Sequence, residues 1–487
     1  MVLPIALGML AVLTVSVVVV LDQSTASSRH AARSKGDQNA FVLAEAGINN
    51  VMAVLANPSN NALKQHTLVS CAGAESTWNR SDYAGGYVLW CGTLNAASAL
   101  WDVTAIGKVR NPAGTQMISR KLTARVVVTP TYTQPLNNPA WNYIYSRRTG
   151  NTCDQYVSNN VGGGSRFYVA GNLCLNNNVG ITASTLIVAG DLDLANNAFV
   201  GASTSMSTRV ETYVGGNCKY GATGSWGACG GDQDARHIWS KMTPPTYVVG
   251  VENTAPVVAA PTADFPTWYT NAIPGPTSAC TTASGTPPVF DNDTTRNNSV
   301  STIFDLTPAT SYTCRVGPSD NPSGELSWNH TTKVLTVAGT MYIDGSAKVG
   351  NLSLNQYNGQ ATIYLSGTFL LNGSLCGGIT GGACDFNAWN PNTEMLTIVA
   401  DGSGGQAGTG NSILVDNNSS FQGGLFATEA VSFDNNSKSD GPIVGSHVVM
   451  ANNMTSDSFP TITVVPVGMP GNPAVYAQPN PPQMFSG

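Results

Sequence analysis

The sequence predicts a mainly β protein with a long N-terminal α-helix. An antiparallel sheet follows the helix, and then a parallel β-solenoid (β-helix) with a disulfide-braced insertion. Three observations lead to this fold class: an uncharged apolar stretch opens the chain, a short phrase ending in Asn-Asn recurs in the later part, and ten cysteines are scattered behind the apolar stretch. The 487 residues are long enough for several domains.

Charged residues make up only 10% of the chain, against ~25% in an average soluble protein. The 51 glycines and frequent Asn, Ser and Thr are typical of an extracellular β protein with many turns. The net charge of −6 and the lack of a long basic run argue against nucleic acid as a partner.

The first helix contains a stretch, residues 2–21, without any charge. About 20 apolar residues cross the ~30 Å hydrocarbon core of a bilayer. We therefore predict a membrane anchor; a cleaved signal peptide is the alternative, although its apolar region is usually shorter and preceded by basic residues. The positions predicted to lie in a membrane or filament core are Leu3, Ile5, Leu10, Leu13, Val17 and Val20.

The second half of the helix is amphipathic from Phe41 onward. Its apolar stripe of Phe41, Ala44, Ile48, Val51, Met52 and Leu55 has helical spacing. Pro58 should end the helix, because the residue before a proline disfavours helical geometry. The helix is thus predicted over residues 1–56, with one side packed on a folded domain.

Basic residues follow the apolar stretch at Arg29, His30, Arg33 and Lys35. The positive-inside rule would place the body in the cytoplasm, whereas the cysteines favour an oxidising compartment. We follow the cysteines, and expect a short basic leader upstream of the sequence. The localisation predicted is the cell membrane with an extracellular body, or an extracellular filament.

Residues 57–130 contain three stretches of alternating apolar residues, near 87–90, 100–106 and 117–128, separated by polar turns. This pattern predicts an antiparallel meander, which would bury the stripe of the helix.

The ten cysteines contain no CxxC pair and no histidines at metal-ligand spacing. They indicate disulfides rather than free thiols or zinc. The sequence alone does not fix which cysteines pair. As a working hypothesis, each cysteine pairs with its neighbour in the sequence: 71–91, 153–174, 218–229, 280–314 and 376–384. The cysteines are Cys71, Cys91, Cys153, Cys174, Cys218, Cys229, Cys280, Cys314, Cys376 and Cys384.

The N-terminal region resembles a known family. The run LPIALGMLAVLTVSVVVV, a Ser/Ala/Arg-rich stretch and AFVLAEAGIN (40–49) are similar to the start of PilX-type minor pilins, over about 50 of the 487 residues. The resemblance implies a helix that packs into the core of a type IV pilus or its assembly complex, with Phe41, Ala44, Glu45 and Ile48 among the core positions. The chain departs from the pattern at Ile5, where a glutamate would stand.

A phrase of apolar–x–apolar residues followed by Asn-Asn recurs in LCLNNN (173–178), LDLANN (192–197), ILVDNN (413–418), VSFDNN (431–436) and VVMANN (448–453). From Asn177 to Asn196 is 19 residues, and from Asn417 to Asn435 is 18. A period near 18 predicts stacked solenoid coils, with Asn in left-handed turns. A β-sandwich is the alternative. In period and composition the region also resembles bactofilin-type and adhesin β-helices.

The repeat divides the body into predicted segments. The solenoid occupies residues 131–205 and 328–464. A Pro/Cys-rich insertion, 206–327, separates these two parts and should dock partly on the coils. A Pro-rich extended tail, 465–487, ends the chain.

No motif predicts catalysis or a cofactor. Asp291-Asn292-Asp293 lacks the later glutamate of an EF-hand, and a surface calcium at Asp401, Asp416 or Asp434 is a minor alternative. The carboxylates Asp191, Asp193 and Asp344 occupy turn or outward positions that need no chemistry. We therefore expect a protein that is not an enzyme.

Aromatic residues outside the repeat are the better candidates for ligand contact. They are Trp226, Trp239, Trp268, Tyr269 and Trp389. Such rings stack on sugars or dock a partner, although ordinary packing would also account for them.

The function predicted is a non-enzymatic cell-surface component of a type IV pilus or related filament, with an adhesive role. Its expected partners are the membrane, other pilin subunits or assembly machinery, and surface glycans or a host or abiotic surface. Two alternatives are a β-helix enzyme acting on polysaccharide and a single-span adhesin unrelated to pili.

Overall fold

The computed structural model describes residues 2–57, 60–95, 98–111, 114–242, 248–274, 280–317, 322–350, 353–473 and 477–486. Pro58 and three parts of the predicted insertion (243–247, 275–279 and 318–321) lie outside the described residues. The chain forms two compact units: Met1–Thr129 with Ala477–Gly487, and Pro130–Tyr476. The fold class is confirmed: one long helix and an antiparallel sheet accompany a large parallel β-solenoid.

The first unit contains the helix α1 (Val2–Ala56) and an antiparallel sheet. Its strands in spatial order are β1 (Asn79–Tyr83), β2 (Gly86–Asn95), β3 (Leu100–Val109) and β4 (Ile118–Pro130). Two short 3₁₀ turns, Gln65–Thr67 and Glu75–Thr77, precede β1. β1 was not predicted from the sequence because its residues (NRSDY) are mostly polar and exposed.

The C-terminal residues complete this sheet. Ala477–Pro479 and Gln483–Ser486 both pair with β4, and further upstream Val464–Pro466 pairs with Thr133–Pro135. Within the tail predicted to be extended, these segments form paired strands, because their backbone groups find partners on open strand edges. In chain order, the solenoid body is inserted between β4 and the last strands of the same sheet.

The body is a solenoid with three strand faces. We number nine coils along the stack in the described residues, each by its strand on the third face: coils 1–5 at Gly345–Val349, Phe369–Leu371, Asn411–Val415, Ala430–Phe433 and Val448–Met450, and coils 6–9 at Gln155–Val157, Leu173–Leu175, Leu192–Leu194 and Asn217–Tyr220. All these neighbours pair in parallel.

The other two faces are built the same way. The first face comprises Ser374–Cys376, Ser420–Gln422, Lys438–Asp440, Thr455–Ser456, Gly162–Gly163, Gly180–Ile181 and Phe199–Val200. The second face comprises Val334–Ile343, Leu354–Leu365, Met395–Ala400, Gly424–Ala427, Ile443–Gly445, Ile144–Ser146, Phe167–Val169, Thr185–Val188, Val210–Val214 and Ser240–Lys241. Inward side chains such as Leu192 and Leu194 are fully buried and form a continuous apolar column.

Strands from outside the nine coils, most of them antiparallel to their neighbours, cover the two ends of the stack. Before coil 1, Cys280–Thr282, Tyr312–Val316 and Gly324–Asn329 extend the second face, and Val300–Asp305 borders the third. After coil 9, Gly227–Ala228 pairs with Asn217–Tyr220. Ile379–Thr380 and Ala383–Cys384 form a separate small hairpin. Covered ends are what a solenoid requires to remain soluble.

The coils are stacked in an order that differs from the chain order. Coil 5, from the later part of the chain, lies directly on coil 6, from the earlier part. Coil 6 is composite: Thr455–Ser456 supplies its first face, while Ile144–Ser146 and Gln155–Val157 supply the other two. The chain therefore enters and leaves the solenoid in the middle of the stack.

The stack also continues beyond residue 205, where the sequence analysis placed the start of the insertion. Val210–Val214 and Asn217–Tyr220 form coil 9. This coil lacks the Asn-Asn phrase, so its membership was not visible from the repeat, although Val210 and Val214 alternate inward as in the other coils.

Asparagine occupies a left-handed turn after the third-face strand in six consecutive coils. Asn418, Asn436, Asn453, Asn160, Asn178 and Asn197 all have φ between 57° and 63°. Their side chains form part of a ladder: Asn436 Nδ2 donates to Asn418 Oδ1 at 3.4 Å, and Asn453 Nδ2 to Asn436 Oδ1 at 3.1 Å. Asparagine tolerates this backbone region better than most residues, which explains the repeated phrase.

An outward column of large side chains on the second face holds the insertion. In register along the stack it contains Tyr342, Tyr364, Val399, Phe426, Val444, Tyr145 and Tyr168. Residues 253–273, which we call the strap and which include helix α2 (Phe265–Ala272), cover part of this column. Trp268 stacks on Tyr364 with ring centroids 5.8 Å apart, and Tyr145 Oη donates to Val258 O at 2.8 Å.

Five disulfides join the ten cysteines: Cys71–Cys91, Cys153–Cys174, Cys218–Cys229, Cys280–Cys314 and Cys376–Cys384. These are the pairs between neighbours in sequence that the working hypothesis proposed. Each closes a short loop at a coil, a cap or the first sheet, and so limits the freedom of the unfolded chain locally.

A prediction concerns the junction between coils 5 and 6. The buried Gln155 side chain bridges it: its Oε1 accepts from Val448 N at 2.8 Å and its Nε2 donates to Val448 O. Gln155→Leu would leave both backbone groups of Val448 unpaired, and we expect a loss of about 1–3 kcal/mol of stability. Thermal unfolding and amide exchange at Val448 measure this. Ser203→Ala removes an exposed hydroxyl of the same stack and should change neither; equal effects of both variants would contradict the bridge.

The stability of the body is expected to depend on pH through the buried residue Asp440. Asp440 is fully buried, and neither carboxylate oxygen has a hydrogen-bond partner in the described part of the chain. Burial, with a smaller contribution from Asp457, raises its pKa to about 8. The folded state therefore holds a proton that the unfolded state releases near pH 4, so stability falls as the pH rises from about 4 to about 8.

Asp440→Asn should consequently stabilise the body by about 1–3 kcal/mol at pH 8 and by less at pH 5. Melting temperatures at the two pH values measure the difference. The exposed Asp22→Asn is the control and should leave both values unchanged. An equal shift at both pH values would show that Asp440 does not titrate as described.

Candidate functional site

The apolar half of α1 is exposed along its whole length. The helix is long and apolar enough to cross a membrane, and no residue of its most apolar window is buried. Leu3, Ile5, Leu10, Leu13, Val17 and Val20 are each between 52% and 78% exposed. Such a continuous exposed apolar surface requires a lipid or protein environment. It is the candidate functional site of the first unit.

The second half of α1 packs on the sheet, but not with the stripe that the spacing suggested. Ala44, Ile48, Val51 and Leu55 are buried as predicted, whereas Phe41 is 41% exposed. The buried side instead begins at Gly36 and continues with Ala40. The helix turns its smallest residues toward the strands, because the backbones approach too closely for a phenyl ring.

Glycines on both elements permit this close approach. A Cβ on Gly47 would lie 2.6 Å from Val88 Cγ2 and 2.7 Å from Ala105 Cβ, and one on Gly107 would lie 2.0 Å from Ala40 O. Ala44 and Gly47 belong to the AEAG motif, so the motif has a packing explanation here. Each fully buried aliphatic side chain along this seam contributes about 1.5–3 kcal/mol.

The opposite side of this half-helix borders a groove of about 570 Å³, lined by Phe41, Val42, Glu45 and the start of β4 at Arg120–Leu122. An ion pair at 3.0 Å between Asp37 and Arg120 closes one end. Val42 is 58% exposed. Glu45, half-buried at the groove, is the only acidic residue of the AEAG motif. The predicted core positions thus divide into a buried set (Ala44, Ile48) and a groove set (Phe41, Glu45).

The aromatic candidates of the body are mostly packing residues, which corrects their expected exposure. Trp268 and Trp389 are 3% and 2% exposed; Trp389 donates from Nε1 to Tyr357 Oη at 3.0 Å. Tyr269 is half-buried and donates to Asp291 Oδ2 at 3.2 Å. Trp239 is half-buried beside His237. Trp226 alone of the five remains largely exposed, at 47%.

Three carboxylates converge in the body: Asp291 and Asp293 from one loop and Asp344 from a distant part of the sequence, with oxygens within 4.8 Å of one another. Asp344 accepts from the backbone N of Asn298 at 3.1 Å and from Ser299 Oγ at 3.0 Å, so it pins a loop. Burial, together with the neighbouring acids, raises the pKa of Asp291. This convergence was not predicted from the sequence because Asp344 lies about 50 residues after the other two, on coil 1.

The other acidic candidates have internal partners. Asp401 pairs with Arg296 at 2.7 Å, and Asp193 with Lys219 at 3.3 Å. Asp191 accepts from Asn217 N at 2.6 Å, and Asp416 from Asn417 N at 2.7 Å. Burial, with Asp416 nearby, raises the pKa of Asp434. The contacts of Asp401, Asp193, Asp191 and Asp416 give these four carboxylates a role in shaping turns and coils.

Comparison with protein-family models finds no match, and comparison with curated proteins finds none either. Among solved structures, the chain is similar to the crystal structure of the competence-associated pilin ComZ from Thermus thermophilus, at 12% identity over 93% of this chain and 97% of that chain, with a TM-score of 0.29.

A prediction concerns the helix–sheet seam. Gly47→Val would force its side chain into Val88 and Ala105, and overpacking of this kind costs about 1–3 kcal/mol. Urea unfolding measures the loss. The matched control is Ala53→Val on the exposed side of the same helix, expected within about 0.5 kcal/mol of the parent. A Gly47→Val variant as stable as the control would refute the close approach.

Proposed function

We propose that the chain is a non-enzymatic subunit, of the PilX-like minor-pilin type, in a type IV pilus or related filament. The observation that carries the proposal is α1, whose exposed apolar half continues without a break into a half that packs tightly on a sheet. A helix built in this way joins the folded unit rigidly to its apolar half, residues 2–21, which we call the stem. The stem must itself be covered by lipid or by other protein.

The exposed residues Phe41 and Val42 favour a filament subunit over a simple anchor. They lie 20 residues beyond Leu21, which corresponds to about 30 Å along a helix. A bilayer that holds residues 2–21 would not reach them. In a filament, the helices of neighbouring subunits would cover both the stem and this second apolar patch.

The partners that follow are the membrane before assembly, other pilin subunits or the assembly machinery afterwards, and a glycan or a host or abiotic surface for the body. The location is the cell membrane with the body outside the cell, or the extracellular filament. Five disulfides support an oxidising compartment. The pairing of Asp193 with Lys219 and the saturated Asp344 support a body without acid–base catalysis.

The stem is tested with Val17→Asp. Val17 lies about 8 Å from the midpoint of residues 2–21, so an aspartate there costs less than the about 2.5–3.5 kcal/mol of the span's centre. The charge still disfavours the span, and we expect the variant to be depleted from both the membrane fraction and sheared filaments, as measured by immunoblotting. The control is Ser27→Asp, at an exposed polar position of the same helix. Membrane retention of Val17→Asp would contradict the anchor.

The filament contact is tested separately with Phe41→Glu. The membrane fraction should stay normal, while the amount in sheared filaments falls about tenfold, because a charge replaces apolar contact with a neighbouring helix. Asn39→Glu, also exposed on α1, is the matched control. Parent protein that is confined to membranes and absent from filaments would favour the unrelated anchored adhesin.

A further inference from the structure

A second groove lies on the third face of coils 6–9. Its floor is an outward column in register along the stack: Tyr156, Cys174, Asp193 and Lys219. The groove encloses about 360 Å³, within the range of small-molecule sites. The Cys153–Cys174 disulfide and strand pairing on both sides of each of the four strands make this floor rigid.

Two exposed aromatic rings accompany the groove: Tyr156 lines it, and Trp226 lies outside the lining, beside the lining residue Lys219. Tyr156 is 49% exposed, and Trp226 is 47% exposed. Asn176 Nδ2 donates to Tyr156 Oη, and Lys219 Nζ lies 5.6 Å from the centre of the Trp226 ring. Both rings are thus held in place at a solvated surface. Three strand spacings separate coil 6 from coil 9, about 14 Å, a length that suits a short oligosaccharide.

Polar groups suited to hydroxyls lie between the rings. The side-chain amides of Asn177 and Asn196 are exposed and have no hydrogen-bond partner in the described residues. Asp193 and Lys219 pair at 3.3 Å, so the groove offers a carboxylate and an ammonium group without a net charge. Amides combine donors and acceptors as sugar hydroxyls do.

We propose that this groove binds a neutral carbohydrate chain, lying along the solenoid axis and stacked on Tyr156 and Trp226. This binding would specify the ligand class for the adhesive role, and it rests on the proposed function for that role. A peptide that adds a strand is disfavoured because the strands of coils 7 and 8 are paired on both sides. An anionic chain is disfavoured because Asp193 already neutralises Lys219.

The test uses the full chain in detergent, with cellotetraose, maltotetraose and chitotetraose as neutral probes and tetragalacturonate as the acidic one. Binding is followed by the fluorescence of the tryptophans and by calorimetry. We expect saturable binding of at least one neutral probe. Trp226→Ala and Tyr156→Ala should each weaken it about tenfold or more, whereas Trp226→Phe should retain most of it.

The matched control is Tyr83→Ala, which removes a ring of similar exposure, 43%, from β1; it should bind like the parent. Melting temperatures confirm that each variant folds. Failure of all three neutral probes, tighter binding of tetragalacturonate, or unchanged binding in both alanine variants would overturn the proposal. Filament incorporation of the same variants is measured in parallel, so failure here is distinguishable from failure of the pilus assignment.

Discussion

The body depends on parallel backbone pairing across the junction of coils 5 and 6. There, strands from residues 443–456 meet strands from residues 144–163, which are nearly 300 positions apart in the chain. Every other coil contact joins segments that follow one another more closely. Because neither part closes coil 6 alone, the stack is continuous only after both have been synthesised. Contacts of such sequence separation are costly to form and slow to find.

This junction also explains the rest of the topology. The chain enters the stack at coil 6 and runs to the end at coil 9. It must then cross to the other end, at coil 1, and return to the middle at coil 5. The strap makes the crossing, and the aromatic column on the second face, with Tyr364 under Trp268, gives it a place to bind. Backbone groups of the strap are satisfied by tyrosine hydroxyls, as between Tyr145 and Val258. The insertion is therefore a necessary connection of the fold as well as an interruption of the repeat.

In the first unit the corresponding constraint is the distance between a helix and a sheet. Small residues at Ala40, Ala44 and Gly47 let the backbones approach, and this requirement turns Phe41 outward. The apolar surface so exposed, together with the stem, is what a filament would cover. The close packing of the helix on the sheet thereby links the AEAG motif to a candidate interface at Phe41.

The sequence by itself determined the elements that repeat or have strong local patterns. The uncharged residues 2–21, the extent of α1, the three apolar strands of the first sheet and the Asn-Asn turns were all predicted from composition, periodicity and the tolerance of asparagine for left-handed backbone. Tertiary structure decided what depends on distant partners. These features are the stacking of coil 5, from late in the chain, on coil 6, from early in the chain; the outward position of Phe41; the burial of Trp268 and Trp389; and the groove beside Tyr156 and Trp226. A local pattern shows which side of a strand or helix is apolar, but only the packed fold determines which surface covers it.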